Sequence, residues 1–237
     1  CLSLDATTQA QTFFGDDELK EQLYLDAILT VADSKHLGQH LDEEKPEGVE
    51  NESVEQIAFA DKILLNKTDL VSEDEKAALV AKIKTINSRA KIIESVQSKV
   101  DMNEIIGIKA FDLDQVVEMD EEFLNVDGEH QHDDSVTSVG IKIGGELDLE
   151  KLNGWLSGLL REKGQDIFRS KGILAIKGSD DRYVFQGVHM LMGMASSAEG
   201  KFEGWKQGQE RENRFIFIGR NLNREELEAG FKACIVK

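Results

Sequence analysis

At 237 residues, with 40% hydrophobic and 31% charged side chains, the chain suits a soluble globular protein with room for two modest domains. A net charge of -18 argues against nucleic acid and anionic membrane surfaces as partners, because it repels both. No apolar run approaches membrane-spanning length, and two cysteines, Cys1 and Cys234, provide neither a disulfide framework nor a paired-thiolate metal motif. A reducing compartment is therefore expected, the cytoplasm or an organelle stroma.

In chain order, residues 1–11 are polar. A short helix is expected after Gln11-Thr12-Phe13-Phe14, capped by Asp16 or Asp17. Leu25 to Val31, aliphatic and β-branched, reads as a buried strand, ending in Ala32-Asp33-Ser34-Lys35-His36. An acidic loop over 43–52 holds the single proline, Pro46, and a helix is predicted over about 49–60 with Val54, Ile57 and Ala58 inward. Ile63, Leu64 and Leu65 then make an apolar run long enough for one buried strand of a parallel sheet.

That run stops at Asn66-Lys67-Thr68-Asp69, at the carboxyl end of its strand, where ligands bind in open α/β sheets. The Asp69 carboxylate is able to accept two parallel hydrogen bonds, from the N1–H and the exocyclic amine of guanine. Adenine presents an acceptor at N1 and no amine at C2, so it would leave that carboxylate unpaired. Asn66 would read the other edge of the base and hold the loop, and Lys67 would lay its aliphatic stem across the ring. The alternative is an ordinary polar turn, for which these residue types are common.

Beyond Asp69, Ser72 and Glu75 form a capping box for a helix with Ala78, Leu79, Ile83 and Ile86 inward. Lys91 to Ser95 is a third strand, and Ser95 with Val96 closes it at the same sheet edge as Asn66 and Asp69. Helices are expected over 101–108 and 111–124. Strand and helix thus alternate through residues 12–110, which implies a parallel sheet. Val126 to Asp134 has no apolar periodicity and marks the domain boundary, giving domains 1–125 and 135–237 around a linker at 126–134. The second half reads as a strand over 135–143; a helix capped by Asp148 and stopped by Gly164; a hairpin of 172–176 and 183–188; a loop over 193–210; a strand over 213–219; and a final helix capped by Asn223. The order β-α-β-β-β-α suits a small α+β domain.

With both halves laid out, the chain resembles the CobW-type GTPases, metal chaperones related to UreG and HypB, followed by the CobW C-terminal domain. The residues that carry the resemblance are Gln11-Thr12-Phe13-Phe14, Val31 to His36, Gln56 to Asp61 leading into Asn66-Lys67-Thr68-Asp69-Leu70, and Ala110 to Leu113. In the second half they are Ser135 to Val139, Phe168 to Leu174, Val184 to His189 and Phe217 to Leu222. The resemblance implies an α/β fold, a partial P-loop-type parallel sheet with flanking helices followed by the α+β domain. It also implies a protein that couples GTP, with Mg in the intact protein, to delivery of zinc or cobalt to a client metalloprotein. Asn66, Lys67 and Asp69 would read guanine, and Ser95 with Val96 would close over the base.

The phosphate-loop pattern G-x-x-x-x-G-K-[ST] does not occur: the Gly-Lys pair, Gly200-Lys201, is followed by Phe202. The family's C-x-C-C metal motif is missing as well. The chain therefore reads as the back half of a GTPase domain with its C-terminal domain, beginning upstream of Cys1. As it stands it is expected neither to hold GTP tightly nor to hydrolyse it. An uncovered sheet edge would then invite self-association. The alternative function is a non-catalytic adaptor that docks a client through its C-terminal domain.

His130 and His132, flanked by Glu129, Asp133 and Asp134, either meet one Zn²⁺ from an extended loop or belong to a solvated acidic linker. His36 and His40 stand i,i+4, a metal-sharing spacing or a helix start. His189 reads as structural, and Cys234 as a buried small hydrophobe. Trp155 faces either core or partner. Arg169, Lys171 and Arg220 bind a phosphate, line an interface or are solvated.

Overall fold

The computed structural model describes residues 22–23, 25–45, 51–110, 136–199, 203–206 and 208–236. The chain divides into two units, one within 1–112 and the other within 113–237. The helices predicted after Gln11 and over 111–124, the Pro46 loop, the boundary at 126–134 and the His130/His132 pair lie outside the described residues.

In the first unit, three parallel strands lie in the order β1 (Leu29–Asp33), β2 (Lys62–Asn66), β3 (Lys91–Ser95). The register aligns Asp33 with Asn66 and Asn66 with Ser95, so all three strands end at one edge. Strand β2 is central and buried, with Ile63 and Leu65 fully covered. The first strand departs from its sequence reading. It begins at Leu29 rather than Leu25 and runs through Asp33, and Val31 is 63% exposed. β1 flanks β2 on one side only among the described strands, so its aliphatic run signals a half-covered strand.

Helices α1 (Leu37–Leu41), α2 (Glu52–Phe59) and α3 (Glu73–Ile86) connect these strands. The side chain of Asn51 caps α2 by accepting from the backbone N–H groups of Ser53 and Val54, and α2 buries Ile57, Ala58 and Phe59. The capping box of α3 is present in both directions: the Ser72 hydroxyl accepts from the Glu75 N–H, and the Glu75 carboxylate accepts from the Ser72 N–H at 2.8 Å. Leu79, Ile83 and Ile86 face the core from α3, whereas Ala78 is exposed. The helix expected over 101–108 is one 3-10 turn, Met102–Glu104, capped by Asp101.

The second unit holds β4 (Val136–Gly144), α4 (Leu149–Lys163), β5 (Ile167–Ala175), β6 (Arg182–Val188), β7 (Leu191–Ser196), β8 (Glu212–Arg220) and α5 (Arg224–Ala233). The strands form an antiparallel sheet in the order β4-β8-β5-β6-β7. Leu152, Leu156 and Leu159 of α4 and Leu227 and Phe231 of α5 pack against Val139, Ile141, Leu174, Phe185, Phe215 and Phe217 on one face of it. Trp155 belongs to this core. Its ring stacks on Phe231 at 5.6 Å and meets Phe215 and Phe217 edge-on. Asp148 caps α4 as its sequence indicates.

One reading of this unit is corrected. Residues 193–196, expected as loop, belong to β7, which the backbone pairing of β6 holds at the sheet edge. Gly164 ends α4 as its sequence indicates, in right-handed backbone (φ -61). A Cβ there would fall 2.3 Å from the Leu160 carbonyl oxygen, so close packing requires the glycine, not left-handed torsion.

Candidate functional site

The shared carboxyl edge of β1, β2 and β3 brings together Asp33, Asn66, Lys67, Thr68, Asp69, Ser95, Val96 and Ser98. Asn66 is the hinge of this corner. Its Oδ1 accepts from the Ser98 N–H at 2.9 Å and the Ser95 hydroxyl at 3.2 Å, while its Nδ2 donates to the Ser98 hydroxyl at 3.0 Å. Its backbone carbonyl accepts from the N–H and hydroxyl of Ser34. The side chain therefore ties the β3 loop to β2. Thr68 adds a second tie, its hydroxyl donating to the Ser95 carbonyl at 3.2 Å.

Lys67 breaks the strand by adopting left-handed backbone (φ 61, ψ 33) and opens a 3-10 turn, Thr68–Leu70. A lysine there costs on the order of 1 kcal/mol. Its ammonium donates to the Asp33 carboxylate at 2.6 Å, across the β1–β2 pair. Asp33 also accepts from the Lys35 N–H at 2.9 Å and lies 3.1 Å from His36 Nδ1. Partial burial pushes the Asp33 carboxyl up, but the hydrogen bonds from Lys67, His36 and Lys35 outweigh it. They hold the group well below the usual carboxylate range. Asp33 is thus a fixed anion that restrains the lysine.

Asp69 lies in the 3-10 turn, exposed, and its carboxylate takes no partner among the described residues. A carboxylate held on an ordered turn and left to solvent is available to a ligand's N–H pair. Ser95 is 5% exposed with its hydroxyl turned to Asn66, so its side chain supports the loop; Val96, 40% exposed, presents the apolar surface. Gln97 and Ser98 are both left-handed (φ 52 and 56), and the Lys99 N–H closes on the Val96 carbonyl at 3.1 Å. Two consecutive non-glycine residues in that region are strained, and the Asn66 contacts to Ser98 stabilise the conformation.

The structure therefore gathers Asn66, Lys67, Asp69, Ser95 and Val96 at one edge. It adds Asp33 and Ser98, to which the sequence reading gave no role. Asp33 had a signal, a carboxylate at the end of the neighbouring apolar run; Gln97-Ser98 carries none, because neither type marks a left-handed turn.

Elsewhere, Arg169 and Lys171 are buried within β5, 5% and 2% exposed, so the solvated reading of these two is corrected. Arg220 is half-buried, 4.0 Å from Asp166. Cys234 is buried, which pushes its thiol up in pKa. The His189 ring packs on Phe168. His36 turns to Asp33 and His40 to Glu43, and no three His, Cys, Asp or Glu side chains gather as a metal site among the described residues.

Two family models match the chain: the CobW/HypB/UreG nucleotide-binding domain over residues 3–94 and the cobalamin synthesis protein cobW C-terminal domain over 136–235. Among curated relatives, the zinc chaperone YjiA of Escherichia coli is 29% identical over 93% of this chain and 64% of its own length. The zinc-regulated GTPase metalloprotein activator 1 of Schizosaccharomyces pombe is 31% identical over 91% of this chain and 57% of its own. The chain thus spans less than two thirds of these relatives. The crystal structure of the Zn(II)-bound YjiA GTPase from E. coli superimposes with a TM-score of 0.77 at 23% identity, covering 98% of this chain and 68% of that one, a likeness of fold.

Proposed function

Since the chain belongs to the CobW-type GTPase family, we propose that it serves GTP-dependent metal delivery, reading guanine at the corner built on Asn66, Lys67 and Asp69. The observation that carries the proposal is the Asp69 carboxylate, exposed on an ordered turn beside a lysine already pinned in place. Asp69 accepts from N1–H and the C2 amine, the Lys67 stem covers one ring face, and Val96 lies against the base. Asn66 acts mainly by holding the Ser95–Ser98 loop. The names of the relatives favour zinc as cargo and a metalloprotein as client. A reducing compartment such as the cytoplasm completes the reading; hydrolysis of GTP would require a phosphate-binding loop, whose pattern this sequence does not contain.

In this chain the base-reading corner has no accompanying phosphate-loop pattern. Affinity for a free nucleotide then rests on the base, and selectivity among bases is the quantity to measure. Titration of the ¹⁵N-labelled chain with GMP is expected to shift the amides of Lys67, Asp69, Val96 and Ser98, whereas AMP at equal concentration leaves them in place. Equal shifts with AMP, or GMP shifts confined to other residues, would contradict the reading.

A further inference from the structure

We propose that Met190, Met192 and Met194 form a thioether site for a soft monovalent cation, Cu(I) or its redox-inert analogue Ag(I). The chain has five methionines, and three of them fall at alternate positions within Met190-Leu191-Met192-Gly193-Met194. Strand β7 is the outer strand of its sheet, with Met192 opposite Gly187 and Met194 opposite Phe185. Phe185 belongs to the core beneath α4 and α5, so Met192 and Met194 stand on the helix side. Met190 shares that side, since a Cβ placed on Gly164, at the end of α4, would lie 2.1 Å from its sulfur. Three thioethers therefore line one rim of the sheet.

Core packing does not account for them. Met190, Met192 and Met194 are 53%, 46% and 39% exposed, so they fill no core. A strand edge is better served by β-branched or aromatic residues. What methionine adds is a polarisable sulfur on an unbranched arm with three rotatable bonds. Alternate residues on a strand stand about 7 Å apart, a gap that two such arms close by rotamer changes. Met192 and Met194 are so related on β7, and Met190 stands in the turn just before it, so the ion is placed over Met192 with its neighbours' thioethers drawn toward it. Neutral thioethers select Cu(I) over harder ions and leave the ion's single positive charge in place. The chain's charge of -18 raises the local concentration of any cation. Zn(II), which takes thiolate, imidazole or carboxylate ligands, is not expected here.

The test is a titration of the full chain, labelled at the methionine methyl carbons, with Ag(I). Cys1→Ser removes a thiol that would outcompete thioethers, while Cys234 is 2% exposed. One equivalent is expected to shift the methyl signals of Met190, Met192 and Met194 and to leave those of Met102 and Met119. Zn(II) at the same concentration should move none of the five. The Met192→Leu/Met194→Leu double variant keeps the apolar volume and is expected to weaken binding at least about tenfold with an unchanged circular dichroism spectrum. Unshifted methyls at one equivalent, uniform shifts of all five, or a leucine variant that binds silver as tightly as the parent would each overturn the proposal. The last result would place the silver elsewhere on the chain.

Discussion

Asn87 offers a sharp test of how the corner at the carboxyl edge of β1, β2 and β3 is supported. It follows α3 and is 1% exposed. Its Nδ2 donates to the carbonyls of Ile57, Ala58 and Ala60 at 2.9, 3.2 and 2.8 Å, and its Oδ1 accepts from the N–H groups of Arg89 and Ala90 at 3.2 and 3.1 Å. One side chain thus joins the end of α2, the entry to β2 and the entry to β3. Asn87→Ala removes two accepted bonds and two N–H donors shared among three carbonyls, and leaves backbone groups without partners in a region where Ala58, Ala60 and Ala90 are nearly inaccessible. At about 1 kcal/mol per net bond, less what a water entering the cavity restores, the loss is about 3–4 kcal/mol. With a urea slope of roughly 1.5–2 kcal/mol/M, the midpoint falls by about 2 M. Trp155 and Trp205 both belong to the second unit, so fluorescence follows that unit, and circular dichroism must be recorded alongside it to follow α2 and α3. A dichroism transition that moves by less than about 0.5 M would refute the assignment of Asn87 as the joint.

Three further outcomes are expected. Asp33→Asn frees Lys67 from its anion and is expected to weaken GMP binding several-fold while unfolding by urea changes by no more than about 1 kcal/mol; unchanged GMP binding would show that the pair does not position the lysine. The acid dependence follows from the same group. Its carboxyl is depressed in the folded state, so its contribution is present above the unfolded value of about 3.9 and is lost as pH falls through the folded value. Below about pH 4 the parent should lose stability more steeply than Asp33→Asn, and parallel pH–stability curves would contradict this. Gly230→Ala, although it raises helix propensity in α5, places a Cβ 2.1 Å from Trp155 Nε1, against a ring packed on Phe231, Phe215 and Phe217. It is expected to destabilise the second unit by about 1–3 kcal/mol, read by tryptophan fluorescence, whereas a stabilised variant would mean that the ring has room to move.

The legible features were those set by local chemistry. Ser72 and Glu75 are three residues apart and cap one another, and Asp148 serves its own helix, so neither needs the fold to be recognised. The apolar run before Asn66 marks a buried strand because parallel strands are covered on both faces. Features that depend on distant partners were not legible. The Lys67–Asp33 pair spans 34 residues, and Asn87 reaches back 27 to 30. Strand β7 has neither apolar/polar alternation nor β-branched residues, and only its pairing with β6 makes it a strand. Arg169 and Lys171 carry charge at positions that the sheet buries. At the corner itself residue types indicated Asn66 and Asp69, while the two left-handed residues at 97 and 98 depend on Asn66 and have no marker of their own.

The most direct measurement exchanges the hydrogen-bonding sense of Asp69 and asks the ligand to follow. The substitution Asp69→Asn puts an amide N–H where the carboxylate offered an acceptor, which suits xanthine, whose C2 bears a carbonyl in place of the amine. The affinities of GMP and XMP for the parent and for Asp69→Asn, read from the Lys67 and Ser98 amides, are predicted to reverse in order, GMP first in the parent and XMP first in the variant. The same order in both proteins would contradict guanine recognition by Asp69.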